Sequence, residues 1–331
     1  MRRAAATLVL VLLAAAPASA RPSGGLDDAI LALFRAARAG NDTATTQAAT
    51  TLVSFGPAAA SSLARSLSDR SPQELVWALR CLREIGSDAV RDTVFGLCAH
   101  TDPMVRTDAV IASAMLGKAA AVPYLQRAAA DPDDTVRRRA FDGILEHGCQ
   151  ADGTLVIAVN GVVDKDFWVV LQAFQILDCQ RKPERGPDRV VTELARIVSR
   201  LDERNAEAYF DFLVRRAGAD CAPVIEPALG ATQPCVVIAA LRAAGRLRLA
   251  AARLPATKLA KGSDIPVSVA AIDTVAQIND HDSLPALVDL LERARHTQQI
   301  DALAVALRRM TSRLYGTDVA LWRKYLAGVL R

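Results

Sequence analysis

Apolar residues recur along this chain at helical spacing and stop at glycines set at regular intervals. Gly56, Gly86, Gly117 and Gly148 are separated by 30, 31 and 31 residues, and each closes an apolar, helix-periodic stretch. A period of that length marks stacked two-helix units, each too small to bury its apolar face alone. Laid on the glycines, the pattern predicts helix pairs at 26–56, 57–86, 87–117 and 118–148. The period then loosens into pairs at 149–186, 187–218, 219–246, 247–280 and 281–316, with a closing helix at about 318–329.

The second helices of the regular stretch align with one another. Asp102-Pro103-Met104-Val105-Arg106 and Asp131 through Val136-Arg137 set their Val-Arg pairs 31 residues apart. Ala78, Ala109 and Ala140 share one position at the same spacing, which predicts close helix contacts there. Val136, Ala140, Phe141, Ile144 and Leu145 make one apolar stripe. First helices carry proline near their starts, in Val122-Pro123-Tyr124-Leu125, Ala222-Pro223-Val224-Ile225 and Leu284-Pro285-Ala286-Leu287. The first helical turn tolerates proline because its amide has no intrahelical acceptor.

The Pro-x-Leu first helix, the Asp-Pro turn, the Val-Arg opening and the glycine stop resemble the HEAT repeat family in its short bacterial, lyase-type form. The likeness is closest over 87–148, extends to 57–86 and 281–316, and thins over 149–280, where the Val-Arg pair is lost. The resemblance implies an all-α, right-handed α-solenoid of about nine two-helix repeats with a C-terminal capping helix. It also implies second helices on the concave side and a protein-binding scaffold rather than a reaction.

The N-terminus changes the expected compartment. Arg2 and Arg3, an apolar run from Ala4 to Ala16, and Ala18-Ser19-Ala20 have the form of a secretory signal peptide over residues 1–20. The run is shorter than a bilayer-spanning helix needs. Residues 21–331 are then expected to be one exported solenoid, in a bacterial periplasm or outside the cell. Removing Arg2 and Arg3 takes the formal charge from +4 to +2, which creates no general demand for nucleic acid or an anionic membrane. No later run reads as membrane-spanning.

Candidate chemistry is sparse. His100, His147, His281 and His296 lie singly, without zinc spacing. Some HEAT-like hydroxylases carry repeated His-Glu iron ligands, whereas this chain has only the reversed Glu146-His147. There is no Gly-x-Ser-x-Gly elbow or phosphate-cradling loop, so neither cofactor nor metal is expected. An enzyme with a lyase-like or hydrolytic site assembled in space remains one alternative.

Arg106 and Arg137 are expected to bond aspartates or carbonyls of adjoining repeats, and Asp102 and Asp131 to act as turn and cap residues. Trp77 and Trp168 have two readings, a ligand platform or packing between repeats. Six cysteines follow the signal segment, and export permits disulfides. Cys221 and Cys235 begin opposite helices of one hairpin, roughly 15 Å or more apart at the helical rise, which is beyond a bridge. Cys149 and Cys179 both fall at glycine-side junctions of consecutive repeats and are the candidate disulfide; the other reading makes them small hydrophobes.

Two stretches are candidate partner-binding surfaces. The loop from Gln180 to Pro187 is long and charged, with Arg181, Lys182 and Arg185. Between Glu226 and Asp264 there is no acidic residue, while Arg242, Arg246, Arg248, Arg253, Lys258 and Lys261 supply six positive charges. That run suits an anionic envelope polymer, the first alternative to a protein partner, or is a solvated face. Near the C-terminus Gly316 is expected to end a helix, Thr317 or Asp318 to cap the next, and Leu321, Trp322, Tyr325 and Leu326 to cover the last repeat.

Overall fold

The computed structural model describes residues 25–184 and 186–329. The signal segment 1–20 and the expected new N-terminus at Arg21 lie outside the described residues. The chain divides by its internal packing into two compact units, Met1–Leu116 and Gly117–Arg331.

In the first unit the pairs are α1 (Leu26–Arg38) with α2 (Asp42–Ser54), α3 (Pro57–Arg65) with α4 (Pro72–Ile85), and α5 (Arg91–Leu97) with α6 (Pro103–Gly117). Leu33, Leu52, Leu63, Leu79, Leu82 and Val94 form its core with the small residues Ala59, Ala78 and Ala109, all without exposed surface. The start of α4 is fixed twice. Ser71 and Glu74 form a reciprocal capping box, and Arg38 reaches the buried Glu74 carboxylate at 3.0 Å.

The second unit continues with α7 (Val122–Ala128), α8 (Asp134–His147), α9 (Thr154–Gly161), α10 (Phe167–Cys179), α11 (Arg189–Leu194), α12 (Ala206–Ala217) and α13 (Ala222–Ala228). It ends with α14 (Pro234–Leu247), α15 (Arg253–Ala260), α16 (Ile265–Ile278), α17 (Leu284–Arg293), α18 (Thr297–Thr311) and α19 (Val319–Val329). The described residues thus form nine helix pairs and a closing helix, an all-α solenoid.

The glycines that set the period act differently. Gly86 ends α4 in the left-handed region, at φ 72°, where a side chain is strained. Gly148 has φ −126° and needs no such freedom; a Cβ there would lie 2.8 Å from a Val122 methyl, so it permits close approach of α7. A steadier register runs from the residue that precedes each second helix. Ser71, Asp102, Asp133, Asp166, Gln233 and Asp264 stand before α4, α6, α8, α10, α14 and α16. Seven positions on lie Ala78, Ala109, Ala140, Ala173, Ala240 and Ala271, each 0% exposed. Alanine at that level lets neighbouring helix backbones come together, and α12 and α18 depart from it with Phe212 and Leu303.

Two local expectations are corrected. Helix α18 ends at Thr311 with left-handed Ser312, not at Gly316, which turns the chain into α19 at φ 56°. Residues 103–128, where no membrane-spanning run is expected from the sequence, form a helical run long and apolar enough to cross a bilayer by length and composition. Of its most apolar window 56% is buried within the protein, as for a core helix. Asp318 caps α19, accepting from the Leu321 amide at 3.1 Å. Trp322 is buried and donates to the Gly316 carbonyl at 3.0 Å, while Arg323 reaches Asp289 at 2.7 Å, so α19 closes over α17.

Candidate functional site

The second unit carries an apolar face that its own packing leaves open. It starts at the cap of α10, where one Asp166 oxygen accepts from the amides of Trp168 at 3.0 Å and Val169 at 3.2 Å. The same carboxylate is gripped from α8 by the Arg138 guanidinium, with Nε at 2.9 Å and Nη2 on the second oxygen. Arg138 first, and the two amides after it, hold the Asp166 carboxyl below its ordinary range although burial pushes it upward.

With the first turn fixed, helical spacing sends Val169, Ala173, Ile176 and Leu177 into the core. It sends Phe167, Trp168 and Leu171 outward, at 70%, 55% and 39% exposure. The two rings meet edge to face at 5.7 Å. One turn further, half-buried Phe174 packs on buried Phe212 of α12 at 5.3 Å. Burying a large apolar side chain fully is worth ~1.5–3 kcal/mol, so this face holds unspent binding energy. Exposed apolar clusters with polar rims mark interaction sites. Of the two tryptophans that could have formed a ligand platform, Trp77 packs on the core of the first unit beneath Arg80, whereas Trp168 does not pack away.

Charges on the neighbouring second helices are matched in pairs. Asp142 of α8 accepts from Arg139 at 3.3 Å and from Gln172 of α10. Arg215 of α12 lies 3.9 Å from Asp178 of α10. Arg242 pairs with Glu207 at 3.0 Å, and Arg246 with Asp211 at 2.5 Å, both from α14 to α12. The expected basic surface over 242–261 is therefore divided. Arg242 and Arg246 lie on α14, exposed Arg248 is the left-handed residue that ends it, and Arg253 opens α15 against Asp280 and Asp282. Acidic residues distant in sequence neutralise three of these four arginines, which a count along the chain does not reveal.

The loop after α10 is likewise tied inward. Lys182 donates to the Arg216 carbonyl at 2.7 Å, at the end of α12. The buried Arg216 guanidinium bonds Asp188 at 2.7 Å and donates to the carbonyls of Leu177 at 2.9 Å and Gln180 at 3.1 Å. Beside it lies a cleft of about 780 Å³ lined by Lys182, Pro187, Asp188, Thr192, Arg216 and Pro223. Arg181 is exposed, and Arg185 lies outside the described residues. Arg137 grips Asp164 with two bonds, at 2.8 and 2.9 Å, and donates to the carbonyls of Asp131 and Pro132, a bonding role between repeats. Asp102 and Asp131 accept from amides two residues on, at 2.8 and 2.9 Å. Cys149 and Cys179 are both free thiols here. Among the described residues, no three His, Cys, Asp or Glu side chains gather as a metal-binding group.

Comparison with known proteins agrees with the helix pairs. The family model for HEAT repeats matches residues 61–144. That stretch has the form of HEAT repeats. The solved structure of importin beta in ammonium sulfate is 14% identical and matches 86% of this chain and 45% of its own, with a TM-score of 0.50. This chain thus spans under half the length of importin beta, and the likeness shows a HEAT solenoid fold. Human deoxyhypusine hydroxylase in complex with glycerol is 17% identical over 87% of this chain and 96% of its own, at a TM-score of 0.34. No curated protein sequence matches the chain.

Proposed function

We propose that the protein is an exported HEAT-repeat scaffold that holds a protein partner on the second-helix face of its second unit. The exposed Phe167–Trp168 pair, extended by Leu171, carries this reading. Aromatic side chains supply large contact area at low entropic cost and dominate the energy of protein interfaces. The paired charges around them suit a polar rim, which sets orientation and excludes wrong partners more than it adds affinity.

The test places a photo-cross-linker at Leu171 in the native host, with and without Phe167→Ala and Trp168→Ala together. A discrete protein adduct that is lost in the double variant, at an unchanged melting temperature, supports the reading. An adduct retained in full with both rings gone overturns it. Export rests on the form of residues 1–20 and has its own measurement. N-terminal sequencing of the mature protein should read Arg-Pro-Ser-Gly-Gly from Arg21, and an intact Met1 on membrane-bound protein would refute it.

The anionic-polymer alternative needs arginines 242, 246 and 253 free to meet a ligand, and their partners at Glu207, Asp211 and Asp280 disfavour it. Its test is retention on envelope polysaccharide at low salt, where electrostatic contact is strongest.

A further inference from the structure

The ends of α8 and α10 lie side by side, joined by a reciprocal pair of bonds. Gln150, two residues past Gly148, donates its side-chain amide to the Cys179 carbonyl. Gln180 donates its own to the Cys149 carbonyl and, at 3.4 Å, to the Ile176 carbonyl. Two cysteines sit inside this latch. The Cys149 thiol donates to the Ile176 carbonyl at 3.8 Å, three residues before Cys179 on the same helix. Cys149 is half-buried and Cys179 exposed. The other thiols are placed differently: Cys81 and Cys221 are buried, Cys98 faces the Ser113 hydroxyl at 3.3 Å, and half-buried Cys235 lies in the first turn of α14.

We infer that Cys149 and Cys179 form a dithiol site which a small disulfide oxidant closes into a bond, stapling the α8 and α10 junction. Two chain segments already held in register by their glutamines need little movement to bring both sulfurs together, which is the usual obstacle to bridging two cysteines. The exposed thiol reacts first. As thiolate, Cys179 attacks one sulfur of oxidised glutathione, forming a mixed disulfide and releasing one glutathione thiolate, which takes up a proton. Cys149 then loses its proton and attacks the Cys179 sulfur, and the second glutathione leaves. Two protein thiols are oxidised and one external disulfide is reduced to two thiols. Burial pushes the Cys149 thiol upward, so its attack quickens as pH rises.

The bond would close a loop through α9 and α10, and it lies directly before the 181–188 loop and the Gln180 carbonyl that Arg216 holds. Constraining the unfolded chain across that span raises stability.

The test uses the whole purified protein, fully reduced, desalted and exposed to excess oxidised glutathione. Remaining thiols are alkylated and the digest is mapped without reduction. The expected result is a Cys149–Cys179 cross-linked peptide and a melting temperature raised by several degrees, reversed by dithiothreitol and absent in Cys149→Ser and in Cys179→Ser. Persistent glutathione on Cys179 with Cys149 alkylated overturns the inference. So do both thiols alkylated, or either one bridged elsewhere. The oxidant is supplied in the test, so its outcome stands apart from the partner reading and from the compartment.

Discussion

Helices α8 and α10 occupy the same place in successive repeats of the second unit and differ in what they turn outward. Both open on an aspartate, Asp133 and Asp166, that accepts two amides of the first turn. Counted from those caps, Val136 matches Val169 and Ala140 matches Ala173, and all four are fully buried. Outward, however, Asp134, Thr135 and Arg138 of α8 become Phe167, Trp168 and Leu171 of α10. Inward, Arg137, which binds the repeat junction, becomes the half-buried Val170. The packing register is kept while the exposed chemistry changes, as expected where a repeat has taken on recognition beside its structural task.

The sharpest break in this comparison is Arg137→Val, which gives α8 the inward residue of α10. It strips Asp164 and the carbonyls of Asp131 and Pro132 of a nearly buried partner. A loss of about 3 kcal/mol is expected, the low end for half of a buried pair. Urea unfolding should show it, and an unchanged midpoint would mean that the junction does not depend on this arginine.

Next in size are Ala140→Leu and Ala173→Leu. If both sit at the same helix contact, each costs on the order of 1–3 kcal/mol by overpacking, with similar values for the two. A large effect at Ala140 and none at Ala173 would show that the register is not shared.

That register also marks how far the sequence was legible. Nine helix pairs and a closing helix could be read from apolar periodicity, because every repeat must bury one stripe. Ala78, Ala109 and Ala140 were visible since the glycine period and the Val-Arg pair agree with them. Ala173, Ala240 and Ala271 continue the series but escaped, because turns of varying length shift the glycines while the distance from cap to alanine holds. Counting from the residue before each of those helices would have found them. The candidate surface was half legible: Trp168 stood out, yet its exposure depends on which face α8 and α12 cover. The pairing of Arg242 with Glu207 and Arg246 with Asp211 could not be read from a run without local acids, since both partners lie on another helix.

A third variant gives α10 the outer face of α8, through Phe167→Asp, Trp168→Thr and Leu171→Arg together. These positions are exposed, so stability should move by no more than about 0.5 kcal/mol, while the cross-linked partner is lost. Marked destabilisation with binding intact would assign the aromatic face to folding and remove it as a recognition surface.

The smallest expected effect concerns the grip of α8 on the α10 cap. Arg138 is the foremost cause that holds the Asp166 carboxyl below its ordinary range, with the amides of Val169 and Trp168 behind it. A carboxyl depressed in the folded state binds a proton less readily than in the unfolded chain. Its contribution is therefore fully present above the ordinary carboxylate value near 4 and is lost as pH falls through the folded value. Arg138→Gln removes the charge and leaves the two amides. Wild type and variant should differ modestly in melting temperature at neutral pH, because Arg138 is partly exposed and water screens it. The difference should begin to shrink below about pH 4 and disappear once the pH has fallen through the lowered folded value, where Asp166 no longer offers a charge to hold. Parallel curves down to the lowest pH at which both fold would show that the α8–α10 contact does not depend on the ionised pair.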